Sequence, residues 1–192
     1  MFKGTSASAG IGIGKAVIVE EAELVITRNE VADAEAEIQR FKGALEKTIA
    51  ATQKMADDLA SRVGEKEAEI MQGHMMLLSD PMLTGEIENS VKNDKVNCEF
   101  AIENVCNMYA DMFASMGDEL MPQRATDMRY IKVRMQRTLM GLESVDVSLL
   151  PKGSILVAKD LTPSMTAGIN PENVSGIVTE LGGKTSHSAI LA

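Results

Sequence analysis

Hydrophobic positions divide the chain into two regimes. Val31, Ala34, Ile38, Phe41, Leu45, Thr48, Thr52, Met55, Leu59 and Val63 recur at steps of three and four. That spacing predicts one long amphipathic helix with a narrow, coiled-coil-like seam, and Gly64 stands where it would be interrupted. A second helical region follows in "KEAEIMQGHMMLLSDPML", where Ser79-Asp80-Pro81 can start a new helix with proline in its first turn. A third runs from Cys98 through Ala101, Val105, Met108, Met112 and Met116. The fourth begins near Met121-Pro122 and sets Ala125, Met128, Met135, Leu139 and Leu142 on one side. Four helical regions with short connections predict an up-and-down bundle over residues 31–143.

The two ends have another character. "KAVIVE" near the start, and "GSILVAKDL" and "NVSGIVTEL" after Leu142, are short apolar runs bounded by turn residues, as buried strands are. Between the last two lies "LTPSMTAGI", in which Thr162 can cap a short helix that begins at Pro163. The expected fold is α+β: a discontinuous α/β domain of residues 1–20 plus 146–192, with a four-helix bundle inserted.

Composition narrows the function classes. At 192 residues, with 45% hydrophobic and 24% charged residues, the chain can bury a real core. Aromatics are 3% against 14 methionines, so that core is aliphatic and thioether. No apolar run approaches the roughly 20 residues of a bilayer-spanning helix. "MFKGTSASAG" has no secretory h-region. Cys98 and Cys106 are spaced eight apart, wrong for a CxxC redox or zinc element, and read as buried thiols. A cytoplasmic protein is expected. A net charge of −9 argues against nucleic acid and for a cationic protein partner.

Three stretches are candidates for chemistry. "GIGIG", Gly10 to Gly14, lacks the GxGxxG spacing and precedes a strand, so it reads as a turn rather than a dinucleotide site. His74 lies among Met75, Met76, Leu77 and Leu78 without metal-ligand spacing. It is either a half-buried, satisfied histidine or part of an exposed Met-rich patch that receives a protein. The last segment, "GGKTSHSAILA", follows a strand and reads as a glycine turn into a helix capped by Thr185 or Ser186. A helix N-terminus presents free N–H groups and a positive dipole end. There the dipole disfavours imidazolium by about 0.3–1 kcal/mol, which keeps His187 neutral and nucleophilic. A phosphoryl group on that ring would gain roughly 1.5–3 kcal/mol from each hydrogen bond to its charge. A structural His187, or one acting as base for Ser186 or Ser188, stands beside this reading, although no GxSxG elbow supports the latter.

"GGKTSHSAILA" resembles the phosphohistidine signature of the phosphoenolpyruvate-utilising enzymes. "GTSASAGIGIGKAVIV", "EIMQGHMMLLSDPML" and "DLTPSMTA" are similar, in the same order, to the N-terminal domain of the Enzyme I family of the bacterial sugar phosphotransferase system. The resemblance spans essentially the whole chain. It implies a phosphohistidine (swivelling) domain, in which His187 takes a phosphoryl group from phosphoenolpyruvate on Nε2 and passes it to the carrier protein HPr. It implies that Thr166 hydrogen-bonds that histidine and that Gly182, Gly183, Lys184, Thr185 and Ser186 support the phosphate. Lys184 replaces the usual arginine and loses its bidentate geometry. The inserted bundle becomes the HPr-docking platform, with Glu65, Ile70, His74, Met76, Leu77, Leu83, Met121 and Arg124 as contacts. Mg²⁺, phosphoenolpyruvate and the homodimer interface belong, by the same resemblance, to a C-terminal domain outside this chain. The chain is then expected to be a monomeric fragment that does not phosphorylate itself from phosphoenolpyruvate, with no metal or cofactor of its own. A nitrogen-regulatory paralogue of Enzyme I, or a pure interaction module, are the competing expectations.

Overall fold

The computed structural model describes residues 4–20, 24–62, 65–118, 120–142, 147–161 and 163–181. The chain forms two compact units, one of Met1–Ala22 with Ser144–Ala192 and one of Glu23–Glu143. In the second unit, helices α1 (Ala34–Arg62), α2 (Glu65–Leu78), α3 (Pro81–Asp94), α4 (Cys98–Ser115) and α5 (Met121–Leu139) follow one another. Five helices are thus described where four regions were expected, because the second region divides at Ser79-Asp80. Asp80 caps α3, its carboxylate accepting from the Met82 N–H at 2.8 Å, and Pro81 opens the helix where a missing N–H costs nothing.

α1 buries the stripe its spacing predicts. Ile38, Phe41, Thr48, Thr52 and Leu59 are buried, and Val31, Ala34 and Leu45 are partly so. The two threonines are tolerated in that seam because their hydroxyls donate back to the carbonyls of Ala44 (2.8 Å) and Thr48 (2.7 Å). Val31 itself precedes the helix. Its N–H is taken by the Lys95 carbonyl at 2.9 Å, and the helix starts where the Asp33 carboxylate receives the Ala36 N–H at 3.0 Å. Val63, Gly64 and the proposed cap Thr162 lie outside the described residues.

α4 departs from its expected face. Ala101, Ile102, Val105, Cys106 and Ala110 are buried, whereas Met108, Met112 and Met116 are 55%, 42% and 45% exposed. Two neighbouring stripes both satisfy a three-and-four spacing. The core follows the one that leads to Tyr109, Ala110 and Phe113, and the methionines are left on the outside. On α5, Ala125, Met128, Ile131 and Met135 are buried as a continuous stripe. Burial of Met128, Ile131 and Met135 contributes about 1.5–3 kcal/mol each.

The first unit contains a parallel sheet of β1 (Lys15–Val19), β2 (Ser154–Ala158) and β3 (Val174–Thr179) in that order, with helix α6 (Pro163–Gly168) between β2 and β3. Leu156, Ala158, Leu161, Met165, Val147 and Val19 form its core. The glycines before β1 have a packing reason. A Cβ on Gly12 or Gly14 would collide with the carbonyl oxygens of Ser175 and Gly153, so the coil can lie against those backbones only without side chains. No helix among the described residues is long and apolar enough to cross a membrane.

Candidate functional site

In the strand unit, β2 and β3 run in parallel with Ala158 opposite Thr179, so their carboxyl ends lie side by side. The pairing continues past the strands, Glu180 donating its N–H to the Ala158 carbonyl at 3.1 Å and Leu181 to that of Lys159 at 2.8 Å. In open α/β sheets, ligands bind beyond the carboxyl ends of the strands. Two sequence candidates follow these strands in the chain. α6, which follows β2, carries Thr166 as a buried residue. The stretch after β3 begins at Gly182. Gly182, Gly183, Lys184, Thr185, Ser186 and His187 lie outside the described residues.

In the helical unit, α2 packs against α5. Met76 stands out from α2 with 73% of its surface exposed, while Ile70, Leu77, Met121 and Arg124 are half-buried. The side chain of Glu65 is outside the described set. Two expected contact residues have no surface to offer. Leu83 lies in the core, and His74 is 1% exposed rather than part of an open patch. The reason is the four-residue step from Ile70 through His74 to Leu78, which turns the ring toward α5 while Met76 faces outward.

Inside that contact the ring meets a carboxylate. His74 Nε2 is 3.4 Å from Asp127 Oδ1, and the same oxygen accepts from Gln123 Nε2 at 3.1 Å. Arg124 Nη1 lies 3.9 Å from Asp127 Oδ2. With Nε2 turned to the carboxylate, the other ring nitrogen, Nδ1, is buried and has no hydrogen-bond partner among the described residues. Burial acts to raise the Asp127 carboxyl, but the His74, Gln123 and Arg124 contacts outweigh it and hold it below the usual aspartate value. Sequence reasoning missed Asp127 and Gln123. The available signal was a carboxylate in the same turn as the core residues Ala125 and Met128.

The rest of the bundle offers less. A pocket of about 380 Å³ is lined by Asn29, Glu37, Arg40, Asn97, Glu99 and Met140, among others. Its guanidinium is already clamped between two carboxylates, Arg40 Nη2 to Glu37 Oε1 at 2.6 Å and to Glu99 Oε2 at 2.8 Å. Among the described residues, no group of three or more His, Cys, Asp or Glu side chains converges as a metal site.

Comparison with known proteins gives these features a family. A model described as PEP-utilising enzyme, N-terminal, matches residues 3–124, and one described as PEP-utilising enzyme, mobile domain, matches residues 150–192. The phosphoenolpyruvate-protein phosphotransferases of Bacillus subtilis and Listeria monocytogenes are 40% and 42% identical over the whole of this chain. The chain spans about a third of their length, 34% and 33% respectively. A solution NMR structure of Enzyme I (nEIt) matches all of this chain and 78% of its own, with TM-score 0.89 and 38% identity. A structure of the N-terminal domain of Enzyme 1 - Nitrogen matches 96% of this chain and 76% of its own, with TM-score 0.70 and 25% identity. The chain belongs to the PEP-utilising enzymes, and its α+β fold is that of the Enzyme I N-terminal domain.

Proposed function

We propose that this chain is the phosphoryl-carrying and HPr-docking part of a phosphoenolpyruvate–protein phosphotransferase of the sugar phosphotransferase system. The match to the mobile domain of PEP-utilising enzymes carries this reading, because it spans residues 150–192 and so holds both Thr166 and His187. In the proposed reaction, His187 Nε2 attacks the phosphorus of phosphoenolpyruvate, an N–P bond forms, the ester O–P bond breaks and enolpyruvate leaves. A histidine of HPr then attacks the same phosphorus and takes the group away. Thr166 orients the imidazole, and Gly182, Gly183, Lys184, Thr185 and Ser186 provide N–H and cationic partners for the phosphoryl oxygens.

The order of elements supports this assignment: α6 with Thr166 follows β2 in the chain, and the sequence run that holds His187 follows β3. Mg²⁺ belongs by family likeness to another part of the enzyme. We place the units accordingly: the strand unit is the phosphohistidine domain and the helical unit the docking platform, with Glu65, Ile70, Met76, Leu77, Met121 and Arg124 as contacts and His74 and Leu83 packed beneath them. The protein is cytoplasmic, and the intact enzyme a homodimer. By itself this chain does not take a phosphoryl group from phosphoenolpyruvate. Greater likeness to Enzyme I than to its nitrogen counterpart favours the sugar system. Titration of the isotope-labelled chain with HPr tests the docking role. Amide shifts should cluster around Met76, Leu77 and Arg124, and a titration that leaves those residues unmoved contradicts it.

A further inference from the structure

Gly73 sits inside α2, where glycine weakens a helix relative to alanine. Its place has a specific neighbour. A Cβ built on Gly73 would lie 3.1 Å from Arg124 Nη1, closer than such atoms ordinarily approach, and no other group among the described residues crowds it. The bare Cα surface of α2 is therefore the floor on which the Arg124 guanidinium lies. From α5, the Asp127 carboxylate faces the same guanidinium, with Oδ2 at 3.9 Å from Nη1. That carboxylate is itself held by His74 Nε2 and Gln123 Nε2, and it is 6% exposed. Arg124 retains 44% exposure of its side chain, so its remaining donors reach solvent.

We infer that Gly73 and Asp127 are positioning residues, which fix the Arg124 guanidinium between α2 and α5 as a pre-oriented donor for an oxygen acceptor on the carrier protein. The inference rests on the docking role proposed for Arg124. An arginine free to explore its rotamers loses conformational entropy on binding, whereas one seated on a glycine floor and facing a buried carboxylate has part of that freedom restricted beforehand. The far end of the arginine side chain, rather than backbone, is the part displaced when a methyl group is added at residue 73. The helix does not have to move, so the change separates folding from recognition.

The experiment compares Gly73→Ala, Arg124→Ala and the double variant, with the HPr dissociation constant and the thermal midpoint measured for each. Gly73→Ala should leave the midpoint unchanged or raise it, and should weaken HPr binding about tenfold, the order of one lost charge-assisted hydrogen bond. In the Arg124→Ala background the same change should have no further effect. Asp127→Asn should behave likewise, weakening binding only while Arg124 is present. Unaltered binding by Gly73→Ala, with binding weakened by Arg124→Ala, would overturn the positioning role. So would an equal loss in the background that lacks Arg124. Normal binding by Arg124→Ala itself would instead remove the docking role of that residue, and the inference with it.

Discussion

His74 Nε2 lies 3.4 Å from Asp127 Oδ1 across the contact of α2 with α5, and His74 is 1% exposed and Asp127 6%. Two polar groups are thereby removed from water beneath the surface that carries Met76 and Arg124. Without Asp127, the imidazole would have no hydrogen-bond partner on either nitrogen, since Nδ1 already lacks one. Asp127→Ala should therefore destabilise the helical unit by about 1–3 kcal/mol. Urea denaturation measures this, and a change below about 0.5 kcal/mol, the range of ordinary surface substitutions, would show that the pair does not hold the helices.

The start of α4 is tied to α1 by carboxylates, which makes its stability depend on acid. Glu37 accepts the Cys98 N–H at 2.9 Å and pairs with Arg40, which also grips Glu99. The Arg40 hydrogen bond is the main cause that holds Glu37 below the ordinary 4.5. For Glu99, burial pushes upward, but Arg40 and Asn97 outweigh it and the carboxyl is again lowered. Between the folded values and 4.5 the unfolded chain binds more protons. The stabilisation is thus complete above 4.5 and is lost as pH falls through the folded values. The urea midpoint should drop over that acidic window, and Glu37→Gln should flatten the drop. An unchanged slope in that variant would refute the link.

Both cysteines should be inert in the native protein. Burial, assisted for Cys98 by Glu37, pushes each thiol up to about 12, so the reactive thiolate is scarce at neutral pH. A thiol-specific reagent should label neither residue in the folded chain and both after denaturation. Labelling of either at the rate of a free thiol would contradict its burial.

The methionines should sort by face rather than by number. Met128→Ala and Met135→Ala remove fully buried side chains and should cost about 2–5 kcal/mol each. Met108→Ala and Met112→Ala, on the open side of α4, should stay within about 0.5 kcal/mol of the parent. Comparable losses in the two groups would mean that the stripe on α4 is wrongly placed.

That stripe also shows what the sequence could and could not tell. The seam of α1 was legible because its apolar residues admit one face only, and the Asp80-Pro81 start because cap and proline act locally. On α4 the methionines and the Tyr109–Phe113 side share one spacing, and only the packing of neighbouring helices chooses between them. The burial of His74 depends on Asp127, 53 residues away, which no local pattern reveals. Gly73 is ambiguous for the same reason, since its neighbour comes from α5. His187, by contrast, is legible through its motif and the electrostatics of a helix start, both of which are local in the sequence.

Transfer from phosphorylated HPr tests the central proposal most directly. The chain is incubated with the phosphorylated carrier, and the modified residue is located by mass spectrometry under conditions that preserve the acid-labile N–P bond. The expected result is one phosphoryl group on residue 187, absent from His187→Ala and reduced in Thr166→Ala. Acid-labile phosphate that persists in His187→Ala, or that maps to another residue in the parent chain, would contradict the account.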